Sequence, residues 1–436
     1  MIAAALLVTL AASGSANPDA SAKRTVEDER GGALPRRAED DAALKHAREL
    51  LKTTILVDGH NDLPWAIRND KAAPGDVIAY DIRGRVKGDT DLPRLREGGV
   101  GAQFWSIYVP GDREYAEAGY ARTQLEQFDI ARQMIARYPD ALELALSADD
   151  VERAFKRGRI ASLLGMEGGH VLENSLGALR AYYDLGARYL TLTHNVTTDW
   201  ADSCNDTAKH GGLTRFGEEV VREMNRLGML VDLSHTSPGT MADALRVSEA
   251  PVLFTHSNTR ALADVPRNVP DAILKQLPAN GGVVMITFVV PFVSKEVADV
   301  VRPVREEVRR RTQGLKDRAE RNRIEDELFA TLKVPPVTVA QVADHVEHVR
   351  KVAGIDHVGL GGDFDGNRLW PVGLNDVSTY PHLFAELIRR GWSDADLKKL
   401  AGENVLRALR KAEDVARLLR ATRPPSTATI EALDKK

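Results

Sequence analysis

The sequence predicts an α/β fold, a closed (β/α)8 barrel of the TIM type with a charged helical insertion after its seventh strand. Eight short apolar runs with strand character recur along the chain, and most are separated by stretches of helical periodicity. Several of the runs end in a residue able to bind a metal or move a proton. Parallel barrel strands bring such ends together at one mouth. A doubly wound open sheet is the competing layout, but no Gly-rich dinucleotide loop supports it.

The runs are Ile55 to Asp58, Gly101 to Val109, Ile160 to Met166, Tyr189 to Thr193, Leu230 to Leu233, Val252 to Thr255, Gly282 to Phe288 and His357 to Gly361. Phe216, Val220, Met224 and Leu227 recur at helical spacing between the fourth and fifth runs. Val339, Val342, Val346 and Val349 form a similar stripe before the eighth. Ser294 to about Pro336 interrupts the rhythm after the seventh run. It is dense in Arg, Glu and Lys but holds enough Val and Leu for helices. It reads as a solvated helical excursion, with a lid or the contact arm of a homodimer as alternatives.

The 436-residue chain is long for one domain, but α/β barrels with insertions reach this size. Ile2 to Ala12 is apolar and Ser13 to Ala16 is small, so residues 1–16 read as a signal peptide, although a positively charged lead-in is missing. The expected location is therefore exported, periplasmic or secreted. Residues 17–41 read as a flexible lead-in, 42–421 as the barrel domain with its insertion at 294–336, and 422–436 as a tail. No stretch is long and apolar enough for a membrane span. The C-terminus lacks the hydrophobic tail of a lipid-anchor signal. A net charge of −4 gives no basic footprint for nucleic acid. The single cysteine, Cys204, excludes an internal disulfide and reads as a free thiol in a loop, so any metal must be held mainly by His, Asp and Glu.

The first run leads into VDGHNDLP, Val57 to Pro64, with His60 and Asp62 two residues apart. In an extended segment such side chains share one side. The third run ends in Glu167, the fourth in His194, the fifth in His235, the sixth in His256 and the eighth in Asp363. Four of the chain's 11 histidines thus sit at strand ends, which a random scatter rarely produces. Zinc accepts imidazole nitrogen and carboxylate oxygen together. Two such ions need a bridging carboxylate to offset their repulsion, and a bridging hydroxide then forms near neutral pH. Asp363 suits the acid/base role that carries a proton to the leaving nitrogen.

The other histidines read as structural. His345 and His348 lie off the Val339 stripe and are expected to face solvent. His357 begins the eighth run, at the barrel's stability face. His46, His210 and His382 show no partner pattern, and His170 lines the mouth without being a ligand. Asp365 reads as part of the FDG turn.

The motifs VDGHNDLP, GMEGGH, LTHN, RLGMLVDLSH, FTHSN, RNVPD and GGDFDG occur in one order from about Thr53 to Arg410. Together they resemble the membrane dipeptidases of the renal dipeptidase type, zinc peptidases with an amidohydrolase-like barrel. The resemblance implies a hydrolase that cleaves dipeptides with a free C-terminal carboxylate, tolerates a C-terminal D-residue and uses two zinc ions per chain. By the same resemblance, His60 and Asp62 bind the first zinc, Glu167 bridges, and His235 and His256 bind the second. His194 is similar to the family's contact with the substrate carbonyl, Arg267 to its carboxylate clamp, and Asp363 to its acid/base residue. With a single cysteine and no lipid-anchor signal, the chain is expected to show neither the disulfides nor the lipid anchor typical of the animal members. TFVVPF also lacks a tyrosine that some relatives place near substrate. Hydrolysis of N-acyl amino acids or of a β-lactam ring is the alternative activity. A metal-binding barrel without activity would be marked by a lost ligand, and none is lost.

Overall fold

Each of the eight expected runs forms a strand, and every residue of those strands is buried. Strands covered on both faces read as unbroken apolar runs, which is why they were visible in the sequence. The computed structural model describes residues 42–111, 113–315 and 318–434. The signal peptide and lead-in expected at 1–41 lie outside the described residues.

The strands are β1 (Leu56–Asn61), β2 (Val100–Ser106), β3 (Leu142–Leu144), β4 (Ile160–Glu167), β5 (Ala187–Thr191), β6 (Leu230–Asp232), β7 (Val252–Phe254), β8 (Val283–Ile286) and β9 (Val358–Leu360). All pairings are parallel, in the order β2-β1-β9-β8-β7-β6-β5-β4-β3, and a further β2–β4 pairing closes the ring. The unexpected strand is β3. It pairs with Ile160 to Ser162, while β5 pairs with Leu164 to Glu167 and β2 with Ala161 to Gly165. A strand has two edges, so β3 and β5 share one edge of β4 and β2 holds the other. The barrel is eight-stranded, with β3 a flange on its outside.

The helix Arg215–Leu227 shows how the covering layer is specified. Thr214 accepts a hydrogen bond from Gly217 N at its start, and Gly228 ends it with a left-handed φ of 86°. Phe216, Val220, Met224 and Leu227 are buried, as their spacing predicted. In the helix Val339–Ala353, Val342, Val346 and Val349 of the stripe are buried and Val339 is partly so, but the buried face is wider than expected and includes His345, only 1% exposed. His345 lies one turn beyond Val342 and beside Val346, within the broad face that a globular helix buries. Its Nδ1 meets Thr259 Oγ1 at 3.0 Å and its Nε2 meets Val293 O at 3.0 Å, so its polar atoms are satisfied inside. His348 is half-buried and pairs with Asp271 at 2.8 Å. The expectation that both face solvent is corrected.

The insertion between β8 and β9 forms the helices Lys295–Thr312 and Arg318–Ala330. Val297, Val301 and Ile324 anchor it, and Arg368, in the loop after β9, pairs with Glu325 and Asp326. The segment after Thr422, read from the sequence as a tail, packs back on the barrel. Ile430 is buried, and Asp434 accepts hydrogen bonds from Thr214 Oγ1 at 2.6 Å and Phe216 N at 3.1 Å. That adds an acidic group at the N-terminus of the helix Arg215–Leu227, where the helix dipole favours negative charge.

Candidate metal centre

The carboxyl ends of β1, β4, β5, β6, β7 and β9 supply the site, and the structure brings together the residues expected there. His60 lies within β1 and Glu167 ends β4. His194, His235, His256 and Asp363 follow β5, β6, β7 and β9 within three residues. Asp62 is not extended but opens the short helix Leu63–Arg68, with φ −92° and ψ 19°. Its Oδ2 still reaches 3.4 Å from His60 Nε2. His235 and Asp363 both adopt left-handed φ, 65° and 64°. Such backbone is costly for residues other than glycine, and it aims both side chains into the mouth.

Glu167 is the hub. Its Oε2 lies 3.6 Å from His60 Nε2, while its Oε1 lies 3.0 Å from His235 Nε2, 3.3 Å from His256 Nε2 and 3.9 Å from His194 Nε2. Three groups of donors are close enough to share an ion: His60, Glu167 and His256; Glu167, His194 and His235; and His60, Asp62 and Asp363. His194 and Asp363 therefore lie within ligand reach as well as beside the centre.

Zinc bonds of about 2.0–2.1 Å place tetrahedral donors about 3.3 Å apart, the spacing around Glu167. Asp62 Oδ1 is buried without a protein partner, as an oxygen awaiting a cation would be. The electrostatics agree. Burial holds His194, His235 and His256 well below the ordinary imidazole range, so they are neutral, the form that ligates. Burial also lowers His60, but Glu167 and Asp62 outweigh it and push the ring up to about 10. Burial pushes Glu167 up to about 8, opposed by His60 and reinforced by Asp62 and Asp363. Three carboxyls crowd one imidazolium there, and the donor set fits zinc.

By resemblance, Arg267 was expected as a carboxylate clamp. It is 2% exposed. Its terminal nitrogens donate to Ser257 Oγ at 2.7 Å and to His256 O at 2.8 Å, and its Nε is buried without a partner. The guanidinium is thus fixed beside His256 with a donor left over. Tyr108 packs edge-on against His194, with ring centroids 4.7 Å apart.

The remaining candidates are structural. Asp365 accepts from Asp89 N at 2.8 Å, so it joins two loops. His170 bonds Val109 O at 2.9 Å, His210 bonds Thr198 O at 3.1 Å, and His382 bonds Gly373 O at 2.9 Å. His357 bonds Gly282 O at 2.8 Å at the far end of the barrel, and the exposed His46 pairs with Asp394. Cys204 is a free thiol, pushed up to about 11 by burial. Sequence reasoning missed Tyr189, Thr255 and Asp232, which lie beneath the ligands. Asp232 falls within the LVDLSH segment, three residues before His235.

Residues 44–423 match the family model described as membrane dipeptidase, peptidase family M19. The chain belongs to that family. Dipeptidase verJ of Clonostachys rogersoniana is 41% identical over 391 residues, covering 88% of this chain and 90% of that protein. Dipeptidase 3 of Mus musculus is 41% identical over 381 residues, covering 86% of this chain and 68% of the mouse protein. Among solved structures, the probable dipeptidase PvdM from Pseudomonas aeruginosa superposes with a TM-score of 0.74 at 25% identity, covering 88% of this chain and all of that one. A metallopeptidase from Rhodobacter sphaeroides, solved with a phosphinate mimic of the dipeptide L-Ala-D-Ala, does so with a TM-score of 0.67 at 25% identity, covering 83% of this chain and 100% of that one. The family and the barrel expected from the motifs both hold for this M19 chain.

Proposed function

We propose that this chain is a binuclear zinc dipeptidase that hydrolyses dipeptides with a free C-terminal carboxylate and tolerates a D-residue there. The observation that carries the reading is the two-sided environment of Glu167, whose oxygens face separate sets of donors. His60, Asp62 and Glu167 would hold one ion, and Glu167, His235 and His256 the other. Zinc so held acidifies a bound water and polarises a carbonyl.

The chain's own groups supply the rest. Burial pushes Asp363 up to about 7, against the pull of His60 and with a push from Asp62. A carboxyl in that range both holds and releases a proton near neutrality, as transfer to the leaving nitrogen requires. Neutral His194 offers a ring N–H to the substrate carbonyl. Arg267 presents its spare N–H groups to the substrate carboxylate and sets the distance from there to the scissile bond. The Rhodobacter metallopeptidase, solved with a mimic of L-Ala-D-Ala, supports the D-residue tolerance.

A screen of L,L and L,D dipeptides with zinc-loaded protein, beside N-acyl amino acids and a β-lactam, tests the reading. Cleavage of dipeptides is expected. Turnover of the comparators alone would overturn it. The apolar segment at Ile2 to Ala12 supports export, which fractionation of the producing cells would check.

A further inference from the structure

We propose that Asp232 is a positioning residue that sets the tautomer of His256 in the metal centre through the hydroxyl of Thr255. The inference rests on the zinc reading above. Asp232 ends β6 and is fully buried. Its Oδ1 accepts from Ser234 N at 3.1 Å and Thr255 N at 2.8 Å. Its Oδ2 accepts from Thr191 Oγ1 at 2.6 Å and Thr255 Oγ1 at 2.8 Å. All four partners are donors to a group that only accepts.

The direction of the next bond beyond Asp232 follows. Thr255 Oγ1 has one proton and gives it to Asp232, so toward His256 Nδ1, 2.9 Å away, it can only accept. The His256 proton is then on Nδ1, and the Nε2 lone pair faces Glu167 and His235. A metal ligand's second nitrogen is commonly fixed by such a partner. Here the partner is the Thr255 hydroxyl, itself oriented by a buried carboxylate. His235 stands outside the relay, since its Nδ1 is buried without a partner.

Asp232→Asn tests the relay. The amide keeps an acceptor for the two backbone N–H groups but turns a donor toward Thr255. Thr255 must then donate to His256 Nδ1, which moves that proton to Nε2, where the metal belongs. Apo protein is titrated with zinc against a competing chelating dye, and the thermal midpoint of each apo form reports folding. The parent is expected to bind two equivalents. Asp232→Asn should weaken one, by about 10–100-fold. Thr255→Val should weaken the same one, and Thr255→Ser should restore it. Folded Asp232→Asn protein with parental affinity for both ions would overturn the relay. If Asp232→Asn does not fold, parental affinity at both sites in Thr255→Val would overturn it instead. A parent that binds fewer than two equivalents would overturn the binuclear reading, whereas the relay falls only if these variants bind metal as the parent does.

Discussion

The Nε2 atoms of His235 and His256 lie 3.0 Å apart. Burial keeps both rings neutral. Two imidazole lone pairs do not face each other at that distance without a proton or a cation between them. The chain reaches this geometry from adjacent strands, β6 and β7, whose registers place Val231 opposite Val252.

Removing one of the pair should remove one ion. His256→Ala is expected to lower bound zinc from two equivalents to one and to abolish dipeptide turnover, with the fold retained. Elemental analysis of chelator-free protein reads this directly. Two equivalents retained in the variant would show that His256 is not a ligand.

Glu167→Gln should reduce kcat by a factor on the order of 10³ or more while the fold survives. A neutral amide bridges two cations poorly, and the hub then serves neither donor set well. Near-normal turnover by folded, metal-loaded variant protein would contradict the role given to Glu167.

Arg267→Ala is expected to raise KM for dipeptides more than it lowers kcat, because a carboxylate contact remote from the scissile bond is mostly uniform binding. Some loss of kcat should accompany it, since Arg267 also holds the carbonyl of His256. A C-terminal amide substrate should mimic the mutation in the parent enzyme, and the variant should lose little more on the amide. Equal cleavage of acid and amide by the parent would remove the clamp role.

His345 gives a pH prediction for stability. Burial depresses its ring to about 4, from an ordinary 6.5. The unfolded chain therefore takes up the proton first as pH falls. The contribution of His345 is complete above about pH 6.5 and is lost as pH drops through about 4, up to about 3 kcal/mol in all. His345→Gln keeps a donor and an acceptor without the titration. Denaturation curves of parent and variant should converge between those limits, the parent losing more. Parallel curves would refute the assignment.

Much of this molecule was legible in one dimension because a parallel barrel converts position along a strand into height above a common floor. Glu167, His194, His235 and His256 each close an apolar run, so their convergence needed no knowledge of lateral contacts. What stayed hidden depends on neighbours remote in sequence. Tyr189 and Thr255 read as ordinary strand residues until β5 and β7 are set around Asp232. The strand β3 is three residues long, too short to show alternation, and exists because β4 has free edge there. His345 looked exposed because a four-valine stripe understates the width of a buried helical face. Asp434 finds its partners more than two hundred residues upstream.

The seam of the barrel has a consequence of its own. β1 pairs with β9, and across that join Asp363 N donates to His60 O at 3.2 Å while Asp62 N donates to Phe364 O at 2.9 Å. The stretches that carry His60 and Asp363 are thus stitched to each other at the mouth itself. A truncated chain ending before Gly361 keeps His60 and Asp62 but loses both of these bonds. On the zinc reading proposed above, ion capture is then expected to be a terminal event in maturation.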